Sequence, residues 1–425
     1  MRMAALLWPS VTLLAAAAAG DAAVAALLAL TVGLAPALGV PHEEMLQDTF
    51  KSIVVSFGAL LAAVLFFWVR LGRPAHLRWH ALLALPLGLM AYALGSMAWS
   101  HAYLAGVEAV RWFVFSLLLF LALNTFTRER LAWLALGVHA GAAIASLWAV
   151  LQFWFDWHFF PQGPRPSSTF INRNFFAEFA VCTLPFGFML LARARTTGRT
   201  ALLASTCGLV VLAVLMTGTR SALTAMGLLA LLLPLAAWRF RRSLAFGEWD
   251  AGQRGLAVFV LLFATLGLGA LETGSAAIEQ EGRGLTALQR ATNRAASIRP
   301  DDTSLGLRVQ MWQATLRMIA DRPVTGVGAG AWENEVPRYQ AEGSPLETDY
   351  YVHNEYLQLL AEYGLVGGVF LVLLAVYGVS AAWRTMRIDS GGDEVAAWRA
   401  VLLCALLALA VVGENGFPWR LASTG

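Results

Sequence analysis

Residues 131–153 read LAWLALGVHAGAAIASLWAVLQF and contain no Asp, Glu, Lys or Arg. An α-helix needs about 20 apolar residues to cross the hydrocarbon core of a bilayer. Only helices and closed barrels satisfy all of their backbone hydrogen bonds within lipid, and a run this long and apolar is typical of a helix. The stretch therefore predicts a membrane-spanning α-helix.

Similar apolar segments recur along the chain and bring the total to about twelve. The others lie at roughly 4–19, 22–40, 52–70, 80–99, 104–124, 173–193, 200–217, 219–238, 254–271, 357–383 and 396–413. Of the 425 residues, 58% are hydrophobic and 13% are charged, whereas about 25% of residues are charged in a soluble domain. We predict an all-α, polytopic membrane helical bundle.

The segments divide the chain into three parts. We expect an N-terminal transmembrane bundle over 1–271, a large loop with amphipathic helices over 272–356, and C-terminal transmembrane helices over 357–425. The partition predicts one large extramembrane part that is itself partly helical.

Charge and cysteine content narrow the class of protein. The net charge of +3 is small, so it gives no indication of a nucleic-acid partner. Cys182, Cys207 and Cys404 lie in apolar runs, and the sequence has no CxxC motif or Cys/His cluster. We therefore expect no zinc site and no disulfide framework. The sequence also has no paired-Asp motif to hold a metal on a sugar nucleotide, and we expect no metal and no cofactor.

Arginines follow alternate segments and orient the bundle. They lie at Arg70, Arg73 and Arg78, at Arg128 and Arg130, at Arg193, Arg195 and Arg199, at Arg239, Arg241 and Arg242, and at Arg384 and Arg387. The positive-inside rule makes these loops cytoplasmic, so 154–172, 217–220 and 272–356 face outward. One alternative stays open: three crossings before Arg70 would put the N-terminus outside, and short or re-entrant pieces in 4–40 would leave it inside.

The large loop contains a pattern typical of a surface helix. From 304 to 320, apolar and polar residues alternate at helical spacing, with an apolar face formed by Leu307, Met311, Ala314, Leu316 and Ile319. Asp301 or Ser304 can cap this helix, and Pro323 ends it. We expect it to lie at the outer membrane face of the bundle.

Arg220 lies between two apolar runs on the outward side. An arginine at membrane depth is costly and marks a functional site by default. Thr217, Thr219 and Ser221 surround it at a helix N-terminus, where backbone N–H groups and a guanidinium form an anion site for phosphate or pyrophosphate. The alternative is an arginine that snorkels from a helix end.

Arg308 and His353 are further candidates near the same side. Arg308 lies on the loop helix one turn before Trp312, although a solvated face would explain it as well. His353 is expected to open the helix of segment 357–383, where the positive helix end disfavours an imidazolium. A neutral imidazole near an anion site is a competent general base. An interfacial histidine bonded to a backbone carbonyl is the alternative.

Three further polar or glycine-rich features have less specific interpretations. Asn172 and Asn174, at the start of segment 173–193, could hold a polar headgroup or a sugar, or could cap the helix. Residues 326–330, GVGAG, lack the following Lys-Ser/Thr of a nucleotide loop. Glu362 lies deep enough in its helix to need a partner.

These residues carry a family resemblance. The segment HNEYLQ at 353–358, with Glu362, Gly364 and Gly367, resembles the signature of the O-antigen ligase and polymerase superfamily. LRVQMW at 307–312, DRPVTGVGAG at 321–330, the stretch 170–176 and TRS at 219–221 resemble further blocks of it. Together the blocks cover about residues 165–417 in the right order.

The resemblance implies an integral-membrane, inverting glycosyltransferase of the GT-C kind that uses no metal and no nucleotide sugar. Its donor would be a glycan on undecaprenyl pyrophosphate, in the bacterial inner membrane with the active site facing the periplasm. The catalytic residue would be His353, and the pyrophosphate would bind Arg220 and Arg308. Supporting roles would fall to Asn172, Asn174, Asn354 and Trp312.

The leading hypothesis is an O-antigen ligase with lipid A–core as acceptor. A polymerase with a second lipid-linked glycan as acceptor, or a protein O-oligosaccharyltransferase, would use the same donor. A transporter of lipid-linked sugars is the alternative of another class, although the internal repeats typical of transporters are not evident. Such ligases usually have one more apolar helix after the block matching 414–420, so either it is missing from this sequence or the chain ends outside.

Overall fold

The computed structural model describes residues 4–42, 46–71, 77–160, 163–297, 303–341, 351–387 and 393–425. These residues form fifteen α-helices and no β-strand, with one isolated bridge between Glu272 and Thr286. The helices are α1 Ala4–Ala37, α2 Gln47–Arg70, α3 Ala84–Ser96, α4 Ala102–Thr125, α5 Leu131–Phe155, α6 Arg173–Ala192, α7 Thr197–Thr217, α8 Arg220–Arg239, α9 Ala251–Leu262, α10 Ala276–Gln280, α11 Ala287–Ala296, α12 Thr303–Asp321, α13 Trp332–Glu335, α14 Glu355–Arg387 and α15 Glu394–Gly413.

Ten helices in the described part of the chain are long and apolar enough to cross a membrane. They are α1 over Ala19–Ala37, α2, α4 to α8, α9 with its continuation to Ala270, α14 and α15. The predicted class of an all-α polytopic membrane protein is confirmed.

The structure has ten candidate membrane helices where the sequence predicted about twelve segments, and both differences lie within the first 100 residues. Segments 4–19 and 22–40 form one continuous helix, α1, and segment 80–99 is a shorter apolar helix over Ala81–Ser96. Asp21 lies at the apparent break within α1, and its carboxylate pairs with Arg70 of α2 at 2.7 Å. Because Asp21 has a charged partner, the helix continues through it.

The outer loops meet at one end of the bundle. Ser275 Oγ donates to Asp156 Oδ1 at 2.5 Å, which joins the segment after α9 to the end of α5. Arg290 Nε donates to the carbonyl oxygen of Met216 in the last turn of α7 at 2.7 Å. The segment between α9 and α14 therefore covers the turn between α7 and α8.

The arginine-rich loops meet at the other ends of the same helices. Glu394, at the start of α15, accepts a hydrogen bond from Arg128 at 3.2 Å and pairs with Arg193. Trp249 Nε1 donates to the carbonyl oxygen of Ala194 at 2.7 Å. Charged and polar contacts thus hold this end together.

Small residues bring the central helices close to one another. Ala142, Ala145 and Ala149 of α5 and Ala177 and Ala180 of α6 are fully buried. Small side chains at helix contacts allow the close packing that associates helices in lipid. With α7, α8 and α15 also packed against it, α6 lies at the centre of the bundle.

A break at Gly364, where φ is +52°, divides α14 into two parts. Leu365 N donates to the carbonyl oxygen of Val324 at 3.0 Å, and Gly328 N donates to the carbonyl oxygen of Glu362 at 3.1 Å. The large loop therefore supplies the backbone hydrogen bonds that the break removes, as apolar surroundings require. The part before the break is mostly buried, and the part after it exposes apolar side chains.

The glycine-rich segment 326–330 makes this docking possible. Gly326, Gly328 and Gly330 all have positive φ, at +60°, +104° and +71°. A Cβ on Gly326 would lie 2.5 Å from the carbonyl oxygen of Glu362. Glycine is therefore needed both for the backbone conformation and for the close approach to α14.

Arg420 lies inside a cluster of carboxylates between α4 and α14. Its guanidinium is 3.0 Å from Glu108, 2.7 Å from Glu362 and 3.6 Å from Glu355, and all four side chains are at most 6% exposed. Burial lowers the pKa of Arg420, but the carboxylates, Glu362 foremost, hold it well above the ordinary value, so the group stays charged. Glu362 thereby has the partner that its depth requires.

We expect Arg420→Gln to destabilise the protein by about 3–5 kcal/mol, the usual effect of removing one partner of a buried ion pair. Three buried carboxylates would lose their shared counterion. The apparent Tm of the purified protein in detergent, followed by tryptophan fluorescence, measures the effect. Arg338→Gln is the control, because Arg338 is 68% exposed where it pairs with Glu335. An Arg420 variant as stable as this control would contradict the role given to the cluster.

Candidate functional site

A polar pocket opens where α6 and α8 begin and the large loop covers them. It is lined by Asn174, Glu178, Gly218, Thr219, Arg220, Ser221, Arg283, Arg294, Arg308 and Asn415. Four guanidinium groups and one carboxylate give the lining a positive charge. Within the described residues, no group of three or more His, Cys, Asp or Glu side chains is arranged to hold a metal ion. The pocket therefore has the chemistry of an anion site.

The turn between α7 and α8 forms the floor of the pocket. Gly218 ends α7 with a φ of +61°, and α8 begins at Arg220 after Thr219. The first backbone N–H groups of a helix have no partner within it, and its N-terminus carries partial positive charge. This turn, expected from the sequence to be a helix N-terminus, lies beside the four arginines.

The two asparagines at the start of α6 have different positions. Asn172 caps α6, because its Oδ1 accepts from Asn174 N at 2.9 Å. Asn174 lines the pocket, and its Oδ1 accepts from Thr219 Oγ1 at 3.0 Å. The structure thus places Asn172 at the cap and brings only Asn174 to the pocket.

Arg220 and Arg308 line the same pocket although they are far apart in the chain. The Arg220 side chain is half-buried, and its Nη2 donates to the carbonyl oxygen and the Oγ of Ser297 at 3.0 Å and 2.9 Å. Arg308 is also half-buried and interacts electrostatically with Glu178 of α6. The structure therefore brings the two predicted arginines together.

The helix that carries Arg308 buries part of the apolar face expected for it. Met311, Ala314 and Met318 are buried, whereas Leu307 and Leu316 are 39% and 52% exposed. α12 packs against Trp332 and Val336 of the large loop and against α14. The expected apolar face is therefore right at Met311 and Ala314 and wrong at Leu307 and Leu316, because α12 packs on a hydrophobic core within the loop. Asp301, a predicted cap, lies outside the described residues.

His353 does not open α14, contrary to expectation. The helix begins at Glu355, because Asn354 Oδ1 accepts from Leu357 N at 3.0 Å and thereby caps it. His353 precedes this cap with a φ of +56°. A non-glycine residue with positive φ is uncommon, and such residues concentrate at functional sites.

The His353 ring lies in an aromatic cluster beside the pocket. Its centroid is 5.1 Å from that of Phe417, and Phe417 is 4.9 Å from Phe175. Phe175 directly follows Asn174, and Phe417 lies two residues after Asn415, both of which line the pocket. His353 is thus adjacent to the elements that form the anion site.

Trp312 and Asn354 hold the His353 segment from two sides. Trp312 Nε1 donates to the carbonyl oxygen of Val352 at 3.3 Å. Asn354 Nδ2 donates to the carbonyl oxygen of Glu414 at 3.2 Å. The backbone before His353 is therefore held to α12, and the Asn354 side chain after it is held to the end of α15.

Glu178 is a pocket residue that the sequence reasoning missed. It is 2% exposed, and its Oε1 accepts from Ser221 Oγ at 3.3 Å, whereas its Oε2 has no hydrogen-bond partner among the described residues. Gly416 packs directly against this carboxylate, because a Cβ at that position would lie only 2.5 Å from Oε1. A carboxylate inside an apolar helix is itself a signal of function, which could have identified it.

A second missed group, Glu281, holds the large loop over the pocket. Its carboxylate is 2.6 Å from Arg173 at the start of α6 and 3.0 Å from Arg290 of α11. Burial raises the pKa of Glu281, but Arg173 and then Arg290 hold it below the ordinary value. Because Arg290 is fully buried, Glu281 provides the charge that lets α11 dock at this end of the bundle.

Replacing Glu281 with Gln should lower the apparent Tm by several degrees, since removing one partner of a buried pair costs about 3 kcal/mol. The pH dependence follows from the lowered pKa of Glu281. The stabilisation by the ion pair is fully present above the pKa of glutamate in the unfolded chain, about 4.3, and is lost as the pH falls through the lower pKa of Glu281 in the folded protein. The Tm gap between wild type and variant should therefore narrow in strong acid. A gap that is absent at pH 7 would remove Glu281 from this role.

The family comparison covers the part of the chain that carries these residues. A family model described as O-antigen ligase matches residues 205–372. The matched stretch includes Arg220, Arg308 and His353 and the whole large loop. A search of curated proteins found no match to the chain.

Proposed function

We propose that this chain, whose residues 205–372 match a family model described as O-antigen ligase, is itself an O-antigen ligase. It transfers a glycan from undecaprenyl pyrophosphate to lipid A–core. The observation that carries the proposal is the four-arginine pocket at the N-terminus of α8, next to His353. A leaving pyrophosphate needs stabilisation of developing negative charge, which oriented cations and helix N-termini provide.

The donor binds with its pyrophosphate on Arg220 and Arg308 and its polyprenyl chain among the membrane helices. A planar guanidinium matches the paired oxygens of a phosphate better than an ammonium does. Asn174 and Asn415 also line this pocket, and their side-chain amides are suited to hydroxyl groups of the first sugar. The protein needs no water-exposed site to carry the polyprenyl chain, because that chain stays in the bilayer.

His353 is the general base of the transfer. It takes the proton of the acceptor hydroxyl as that oxygen forms a bond to the anomeric carbon. The bond from this carbon to the pyrophosphate breaks at the same time, and the electron pair leaves on the lipid pyrophosphate. A single displacement of this kind inverts the anomeric configuration. The positive φ of His353 fits a residue whose orientation is fixed for reaction.

The pocket faces the periplasm from the inner membrane. Arg128 and Arg193, from two of the arginine-rich loops, meet Glu394 at the end of the bundle away from the pocket, and loops of this composition stay in the cytoplasm. Because α1 is one helix, two candidate spans precede Arg70 instead of three. The N-terminus is then on the cytoplasmic side, because of one continuous helix and not because of the short or re-entrant pieces considered from the sequence.

Transfer to defined acceptors tests this function. The purified protein is incubated with a glycan on undecaprenyl pyrophosphate and, separately, lipid A–core, a second lipid-linked glycan or a periplasmic protein acceptor. We expect glycosylated lipid A–core, at the same rate in chelator as with Mg²⁺. A product on the second glycan would indicate a polymerase, and one on protein an O-oligosaccharyltransferase. Passage of the donor across vesicles without any transfer would indicate a transporter.

Arg220→Lys and Arg308→Lys should each lower transfer at least tenfold while expression stays normal. Lysine keeps the charge but loses the planar fork that matches two phosphate oxygens. Transfer rates at saturating acceptor measure the effect. Arg317→Lys is the matched control, because Arg317 is exposed on the same helix as Arg308 and donates to the carbonyl oxygen of Tyr339. Near-normal transfer by both site variants would rule out the arginine clamp.

His353→Ala should lower transfer by roughly 10²–10⁴-fold, the usual contribution of general acid–base catalysis. Binding of the donor should persist, since the arginines remain. Wild-type activity should fall in acid, because an imidazolium cannot accept the hydroxyl proton, and the variant should lack this pH dependence. His158→Ala, in the loop after α5, is the control. Lost donor binding would make His353 a ligand instead of a base.

A further inference from the structure

We propose that Glu178 of α6 is a sugar-binding residue, whose carboxyl group forms a hydrogen bond with a hydroxyl of the first sugar on the lipid-linked donor. The inference rests on the proposed function and concerns the same pocket. It assigns recognition of the sugar to a residue separate from the arginines that are assigned to the pyrophosphate.

Glu178 is a buried carboxyl group with one unused oxygen atom. Its side chain lines the pocket and is 2% exposed. Ser221 Oγ donates to Oε1 at 3.3 Å, whereas Oε2 has no hydrogen-bond partner among the described residues. A buried polar atom without a partner is costly. A ligand in the pocket that forms a hydrogen bond with Oε2 would remove this cost.

The pocket lining has a basic part and a part without arginines. All four guanidinium groups come from α8 and from the large loop. In contrast, α6 and the segment after α15 contribute the amides of Asn174 and Asn415 and the carboxyl of Glu178. Asn174 and Glu178 are four residues apart and therefore lie on the same face of α6. Amide and carboxyl groups supply the hydrogen-bond donors and acceptors that sugar hydroxyls need.

The elements that form the part without arginines also lead to His353. Phe175, at the start of α6, and Phe417, in the segment after α15, have ring centroids 4.9 Å apart. The His353 ring centroid is 5.1 Å from that of Phe417. In the proposed transfer, the anomeric carbon lies between the leaving pyrophosphate and the base. The first sugar therefore lies towards His353 from the arginines, where α6 lines the pocket.

A hydroxyl group suits Glu178 better than a phosphate oxygen does. A sugar hydroxyl both donates and accepts, so it forms a hydrogen bond with either protonation state of a carboxyl group. An ionised carboxylate has no proton to donate to a phosphate oxygen, and its charge repels the phosphate. Because only the neutral acid could bind phosphate, the hydroxyl is the ligand that fits both states.

Binding of two lipids to the purified protein in nanodiscs tests the inference. The probes are undecaprenyl diphosphate and the same lipid carrying one N-acetylglucosamine. The variants to compare are Glu178→Met and Glu178→Gln, because both side chains are uncharged and similar in volume and only glutamine can form a hydrogen bond with a hydroxyl. Their comparison therefore isolates hydrogen bonding from the electrostatic interaction of Glu178 with Arg308.

Relative to Glu178→Gln, we expect Glu178→Met to bind the glycosylated lipid about tenfold more weakly, since it leaves the sugar hydroxyl without its partner. Affinity for the sugar-free lipid should be the same in both variants. Thr183→Val is the control. Thr183 is buried on the same helix, where its hydroxyl donates to the carbonyl oxygen of Ala180, and its replacement should change neither affinity.

Two results would overturn the inference. Equal affinities of the Met and Gln variants for the glycosylated lipid would show that Glu178 forms no hydrogen bond with the sugar. A parallel loss for both lipids would place the contact on the diphosphate. If Glu178→Met does not fold, Ser221→Ala replaces it, because it removes the hydrogen bond that orients the carboxyl; the expected loss is again confined to the glycosylated lipid. A wild type that binds neither lipid would contradict the proposed function itself.

Discussion

The buried ion cluster around Arg420 fixes the part of the molecule on which the candidate site depends. One guanidinium joins Glu108 of α4 to Glu355 and Glu362 of α14. Each of these charges would be costly in an apolar bundle without the others. Glu355 is the first residue of α14 and also accepts from Trp419 N at 2.7 Å. The cluster thus sets where α14 begins, and the cap at Asn354 then places His353 beside the pocket.

A second constraint follows from the break in α14 at Gly364. Backbone groups in apolar surroundings need partners, and the large loop supplies them through its segment 324–328. The loop is therefore docked twice on the bundle, through α14 and through Glu281. Double docking lets Arg308 of the loop and Arg220 of the bundle line one pocket. The proposed transfer requires such rigidity, because the donor and the proposed base must be held in a fixed geometry.

Much of the fold and some of the site could be predicted from sequence, for reasons particular to each residue. The length of an apolar run identifies a membrane helix directly. Arg220 could be predicted because it is a charged residue between two apolar runs. Glu281 could not, because its partner Arg173 is 108 residues away and its own surroundings are polar. Helical spacing predicted Met311 and Ala314 on the buried face of α12, but not Met318, which belongs to the same hydrophobic core as Trp332. The start of α14 shifted past His353 because Asn354 is the better cap.

A structure of the protein with undecaprenyl diphosphate, determined by cryo-electron microscopy in nanodiscs, shows whether the pocket at the start of α8 binds the diphosphate of a lipid-linked donor. The diphosphate should lie within hydrogen-bond distance of Arg220 and Arg308, with His353 facing the side from which an acceptor would approach. A diphosphate bound elsewhere, with this pocket unchanged, would contradict the account.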